Sequence, residues 1–114
     1  MITEEKLLFF INNHYAEAIT LDTVADSLGF SKYYVSRQFK SYTHSNFCDY
    51  LNKIRTKAAA EMLRTSDYSI TDIAMRAGFQ SISSFNRTFK MIYGCSPTKF
   101  RNQCMISTYS PVGT

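Results

Sequence analysis

The chain has 114 residues, 45% of them apolar and 19% charged, which suffices for one domain or two small cored lobes and excludes wholesale disorder. Lys and Arg number 13 against 9 Asp and Glu, a formal net charge of +4, so an anionic partner is a natural expectation. Cys48, Cys95 and Cys104 are odd in number with no Cys-x-x-Cys spacing, and His14 and His44 stand near no cluster of Cys or acids, which argues against a disulfide framework or a metal site. No cofactor is called for.

"MITEEKLLFF" is acidic at its start and lacks a long apolar run, so neither an export signal nor a membrane span is expected, and the chain reads as a soluble intracellular protein. The only prolines are Pro97 and Pro111, and without a breaker before them the fold class is all-α. Leu7, Leu8, Ile11 and Tyr15 recur at helical spacing and predict a first helix from Glu4 to His14. Thr20 is placed to cap a second, Leu21 to Leu28, with Asp22 in its first turn and Gly29 at its end. Ser31 precedes a third, Lys32 to Tyr42, with Val35, Phe39 and Tyr42 on one face. Asn46 precedes a long fourth, Phe47 to Thr65, whose predicted inner stripe is Phe47, Tyr50, Leu51, Ile54, Ala58 and Met62. "SITD", Ser69 to Asp72, has the form of a capping box and opens a fifth helix ending at Gly78. The sixth runs from about Ser81 to Tyr93 with Phe85, Phe89 and Ile92 inward and Gly94 closing it. Ser96-Pro97 opens a short seventh, and from Met105 a frayed tail is expected.

A pattern occurs twice. Leu21, Val24, Ala25, Gly29 and Phe30 match Ile70, Ile73, Ala74, Gly78 and Phe79 at an offset of 49, whereas Val35, Arg37, Phe39 and Lys40 match Phe85, Arg87, Phe89 and Lys90 at an offset of 50. The extra residue falls in the turn between paired helices, where an insertion is tolerated. Each copy is a short helix, a Gly-containing turn and a second helix, which is a helix-turn-helix. The predicted organisation is an N-terminal helix-turn-helix subdomain at 1–46, a linker helix at 47–66, a C-terminal helix-turn-helix subdomain at 67–104 and a flexible tail at 105–114.

The outward faces point to duplex DNA, whose major groove accepts the second helix of such a unit. Taking Val35 as inward at 100° per residue, Tyr33, Ser36, Arg37 and Lys40 point away, and the same construction on Phe85 exposes Ser83, Asn86, Arg87 and Lys90. Neither set contains an acid. Arg37 and Arg87 suit paired hydrogen bonds to guanine, Asn86 suits adenine, and Tyr33 offers a ring to a thymine methyl. Lys32, Lys40, Ser81 and Lys90, with Arg55 on the linker helix, are the expected phosphate contacts. Ile82 lies about 60° from the anchor and reads as partly buried. A linker helix of about nineteen residues spans about 28 Å, near the ~34 Å of one turn of B-DNA, so one chain could address two successive major grooves.

"DIAMRAGFQSISSFNRTFKMIYGCSPTKFR" and "IRTKAAAEML", within a stretch from Ala16 to Arg101, resemble the DNA-binding domain of AraC/XylS transcription regulators. The resemblance implies a seven-helix, two-lobed domain that binds promoter DNA with both recognition helices and regulates transcription, commonly by touching RNA polymerase. Carried over by position, it implies base contacts from Tyr33, Ser36, Arg37, Ile82, Ser83, Asn86 and Arg87. Ile82 departs from the polar residues frequent there in relatives, and His44 stands where a glycine like Gly94 is common. Many relatives carry a separate effector-sensing or dimerisation domain, for which these 114 residues leave no room. The competing reading is a helical protein-interaction module without DNA binding. An enzyme is disfavoured, since no paired carboxylates, nucleophile–base set or phosphate loop emerges.

Overall fold

The computed structural model describes the backbone of residues 1–109, with side chains as far as Cys104. The described residues form seven helices and no strand: α1 (Glu4–His14), α2 (Leu21–Leu28), α3 (Lys32–Thr43), α4 (Phe47–Thr65), α5 (Ile70–Arg76), α6 (Ile82–Tyr93) and α7 (Pro97–Tyr109). The reason these segments start where they do is local. Thr3, Thr20, Ser31, Ser69 and Ser81 each accept a backbone N–H from three residues on. Asn46 Oδ1 does the same for Asp49 N–H at 2.8 Å, and Ser96 Oγ for Lys99 N–H at 3.1 Å. Each such cap satisfies a donor the helix leaves open and stabilises the helix by about 1 kcal/mol.

The turns inside the two helix-turn-helix units are also alike. Phe30 N–H donates to Ala25 O at 3.0 Å, and Phe79 N–H donates to Ala74 O at 2.9 Å, closing the same ring in both copies. That closure requires a left-handed residue between them, supplied by Gly29 at φ 78° and Gly78 at φ 101°. The copies differ by Gln80, which stands between Phe79 and the cap Ser81 where the first copy passes directly from Phe30 to Ser31. His44 adopts φ 59° and donates its N–H to Lys40 O at 2.8 Å, the same closure that Gly94 makes with Lys90 O at 2.8 Å, so a non-glycine residue fills this turn without changing it.

Two compact units divide at Ile54/Arg55, within α4. In the first, Leu7, Ile11, Val24, Ala25, Val35, Phe39 and Leu51 form a buried core. Ile2 is buried with them, its N–H donating to Tyr34 Oη at 3.3 Å and its carbonyl accepting from Tyr42 Oη at 2.9 Å, so α3 holds the segment ahead of α1. In the second, Ala59, Ala60 and Leu63 of α4 pack with Ile73, Ala74, Phe79, Phe85 and Phe89. Phe89 sits in an aromatic cluster with Phe85, Tyr93 and Phe100, at centroid separations of 5.7, 4.8 and 5.3 Å. Arg101 reaches the end of α4, with Nε donating to Leu63 O at 3.3 Å and Nη2 to Ser66 O at 3.2 Å, which occupies carbonyls a helix terminus leaves open.

Several expectations are corrected. α4 does not bury one continuous stripe: Leu51 joins the first core, but in the second half burial falls on Ala59, Ala60 and Leu63, because its two halves belong to different cores. α5 ends at Arg76, with Ala77 as a right-handed cap before Gly78. Ile92, in the last turn of α6, is 41% exposed, and Thr88 at 7% takes the buried position beside Phe89. α7 continues through Met105 to Tyr109, where a frayed tail was expected, since neither Gly nor Pro interrupts these residues. The rest of the expected tail, 110–114, lies outside the described residues.

Gly78→Val places a β-branched side chain at positive φ and should destabilise the second unit by about 1–3 kcal/mol, measured as a lower Tm; a Tm equal to the parent's would contradict the turn's role.

Candidate nucleic-acid interface

Burying Val35 and Phe39 fixes the rotation of α3 about its axis, since both are at most 1% exposed. The opposite face then carries Tyr33, 79% exposed, with Ser36, Arg37 and Lys40 exposed beside it. These four line one shallow concavity together with Ser41. Ser41 was not singled out from sequence, although it lies four residues after Arg37 and therefore one turn along the same face. Lys32, at the start of α3, has its Nζ 3.7 Å from Asp22 Oδ1 and 5.8 Å from the centre of the Tyr33 ring. An acid from α2 thus approaches a face that is acid-free along α3 itself, and it shares the charge of Lys32.

In the second unit Phe85 and Phe89 are fully buried and fix α6 in the same way. Ser83, Asn86, Arg87 and Lys90 are exposed. Ser81 is exposed while its Oγ accepts Ser84 N–H at 3.1 Å, which leaves the hydroxyl proton available to an outside acceptor. Ile82 is half-buried against the second core, so its apolar surface is divided between packing and the outside. Within each unit, therefore, the residues predicted to contact bases lie on one helix face. Among the described residues Arg37, Lys40, Arg87 and Lys90 make no ion pair, whereas His14–Glu17, Lys32–Asp22 and Arg64–Glu61 are paired.

Arg55 is the exception among the expected phosphate contacts. It is only 8% exposed and has a partner within the protein. Helical spacing alone could not separate it from the exposed Lys53 and Lys57, because the change of buried face along α4 is a tertiary effect. Among titratable groups, burial first and the Glu4 carboxylate second push the Tyr50 phenol above its ordinary 10.0. Its ring lies at the edge of the first core, 5.1 Å from the Phe39 ring.

A family model described as a helix-turn-helix domain matches residues 24–103, from within α2 into α7. The regulatory protein SoxS of Escherichia coli strain K12 is 34% identical over 99 residues, covering 87% of this chain and 92% of SoxS. The C-terminal domain of AraT, a response regulator from Geobacillus stearothermophilus, superposes with a TM-score of 0.83 at 33% identity, covering 87% of this chain and 83% of that one. The DNA-binding domain of AdpA, a global transcriptional factor solved in complex with a target DNA, superposes with a TM-score of 0.82 at 29% identity, covering 87% and 89%.

Asp22→Asn removes the carboxylate that shares the charge of Lys32 and should raise affinity for duplex DNA of any sequence by roughly two- to fivefold at low salt, a gain that shrinks as salt rises. Fluorescence anisotropy across a salt series checks this; an unchanged low-salt affinity would show that Asp22 lies outside the field of the bound duplex.

Proposed function

This chain belongs to the AraC/XylS family of helix-turn-helix transcription regulators, and from that premise we propose which residues read its DNA and which hold it. The protein binds double-stranded DNA sequence-specifically and regulates transcription. α3 and α6 are its recognition helices, each entering a major groove with its buried aromatic or β-branched anchor turned away. The observation that carries this assignment is the pair of exposed helix faces bearing Arg37 and Arg87, each free of acids along its helix, with neither guanidinium in an ion pair among the described residues.

Arg37 and Arg87 donate paired hydrogen bonds to guanine O6 and N7, Asn86 pairs with adenine, and the Tyr33 ring meets a thymine methyl. Ser36 and Ser83 reach base edges beside them, and Ile82 offers only the exposed part of an apolar side chain. Lys32, Lys40, Ser81 and Lys90 bind phosphates and set the register without reading sequence. The organisation proposed for this task is two helix-turn-helix subdomains, 1–46 and 67–104, joined by the helix of 47–66. That helix has 19 residues, so it extends about 28 Å, a length that supports engagement of successive major grooves by one chain. Promoter DNA in the bacterial cytoplasm, at the nucleoid, is the proposed setting, with RNA polymerase as protein partner.

Affinity for duplex DNA should fall steeply with rising salt, because bound phosphates release their counterions. Arg87→Ala should cost about 1–3 kcal/mol on the preferred site and relax selectivity at one base position. Equal losses on all sequences would make Arg87 a phosphate contact, and a chain with no duplex affinity at moderate salt would be a protein-interaction module instead.

A further inference from the structure

Met91 stands out on α6: a large apolar side chain, 76% exposed, on a helix whose other large apolar residues are accounted for. Phe85 and Phe89 are core. Ile82 packs against that core from outside. Tyr93 stacks on Phe89 at 4.8 Å and meets Phe100 edge-on at 5.2 Å. Ile92, at 41%, falls on the side of Phe85 by helical spacing. Met91 points away from the core and, like Ile92, is not part of its packing, and it is the more exposed of the two.

Its direction is informative. Four residues after Arg87, it lies about 40° around the helix from that side chain and one turn further along. Lys90 and Arg87 flank it and no acid stands on the face, so the side chain is set in a positively charged surface. The first unit shows what this position can reach. Ser41, at the offset of 50 that aligns the two helices, lines one concavity with Tyr33, Ser36, Arg37 and Lys40. The position therefore belongs to the face that meets DNA, and the two units fill it differently, with a small polar residue in one and a long polarizable one in the other.

Resting on the DNA-binding reading above, we propose that Met91 is a specificity-determining residue that contacts the C5-methyl group of a thymine next to the base read by Arg87. Thymine is the base that presents an apolar group in the major groove. A methionine, unbranched and with three rotatable side-chain bonds, adapts to such a group better than a branched side chain. Ser41 has no comparable apolar surface, so no thymine contact is expected from the matching position of α3.

The test uses the site that the whole chain selects from random duplexes. Each thymine of the α6 half-site is replaced in turn by deoxyuridine, which removes only the methyl group, and affinities are measured for the wild type, Met91→Ala and Met91→Leu. The expected result is one thymine at which deoxyuridine weakens the wild type by about fourfold, the value of one methyl-sized apolar group. Met91→Ala binds the two duplexes equally, and Met91→Leu keeps a preference for thymine. Because Met91 is exposed, the variants should keep the parental Tm. The inference is overturned if the selected half-site holds no thymine, if no deoxyuridine effect depends on residue 91, or if Met91→Ala weakens all sequences alike. In each of these cases duplex binding itself persists, whereas loss of binding by the wild type would overturn the DNA-binding reading and this inference together.

Discussion

One backbone hydrogen bond, made twice, determines where the basic helices point. Phe30 N–H reaches back to Ala25 O, and Phe79 N–H reaches back to Ala74 O, and in each case a glycine between them takes the left-handed backbone that brings donor and acceptor together. The alanine matters as much as the glycine. Ala25 and Ala74 are at most 2% exposed, and a larger side chain there would hold the two helices of the unit apart. Once the turn is set, the next helix has one way to bury its anchor, Val35 or Phe85, and its polar face is left outside. The chemistry of that face follows from packing on the other side of the helix.

The second constraint is economy. Each unit needs three or four helices to enclose a core, and α4 serves both, with Leu51 in the first core and Ala59, Ala60 and Leu63 in the second. A short chain can carry two helix-turn-helix units because a single 19-residue helix closes both. Arg55 stands where α4 passes from one unit to the other and is only 8% exposed. Arg101 shows related logic, since a cation spent on Leu63 and Ser66 carbonyls is one not presented to DNA.

Most of the fold is legible in the sequence because its signals are local. Thr20, Ser31, Asn46, Ser69 and Ser96 cap the helices they precede, and Gly29, Gly78 and Gly94 take the left-handed backbone at the turns. The candidate faces of α3 and α6 are legible too, since two buried anchors per helix suffice to fix a rotation. The misses share a different cause. Arg55, Ile92 and the second half of α4 depend on which core a residue meets and where that core stops. Neither is encoded in the periodicity of one helix. Asp22 was read as a favourable first-turn acid on α2, and its 3.7 Å approach to Lys32 needs the turn to bring α2 and α3 together. Ser41 and Met91 were within reach of the same helical construction that found Arg37 and Arg87, one turn further on.

The central claim is that a single chain uses both helix-turn-helix units on one duplex. Hydroxyl-radical footprinting of a selected site, with stoichiometry measured in parallel, tests it directly. One chain per duplex, protecting two patches about one helical turn apart, is the predicted result. Protection of a single patch, or two patches that appear only when a second chain binds, would contradict it.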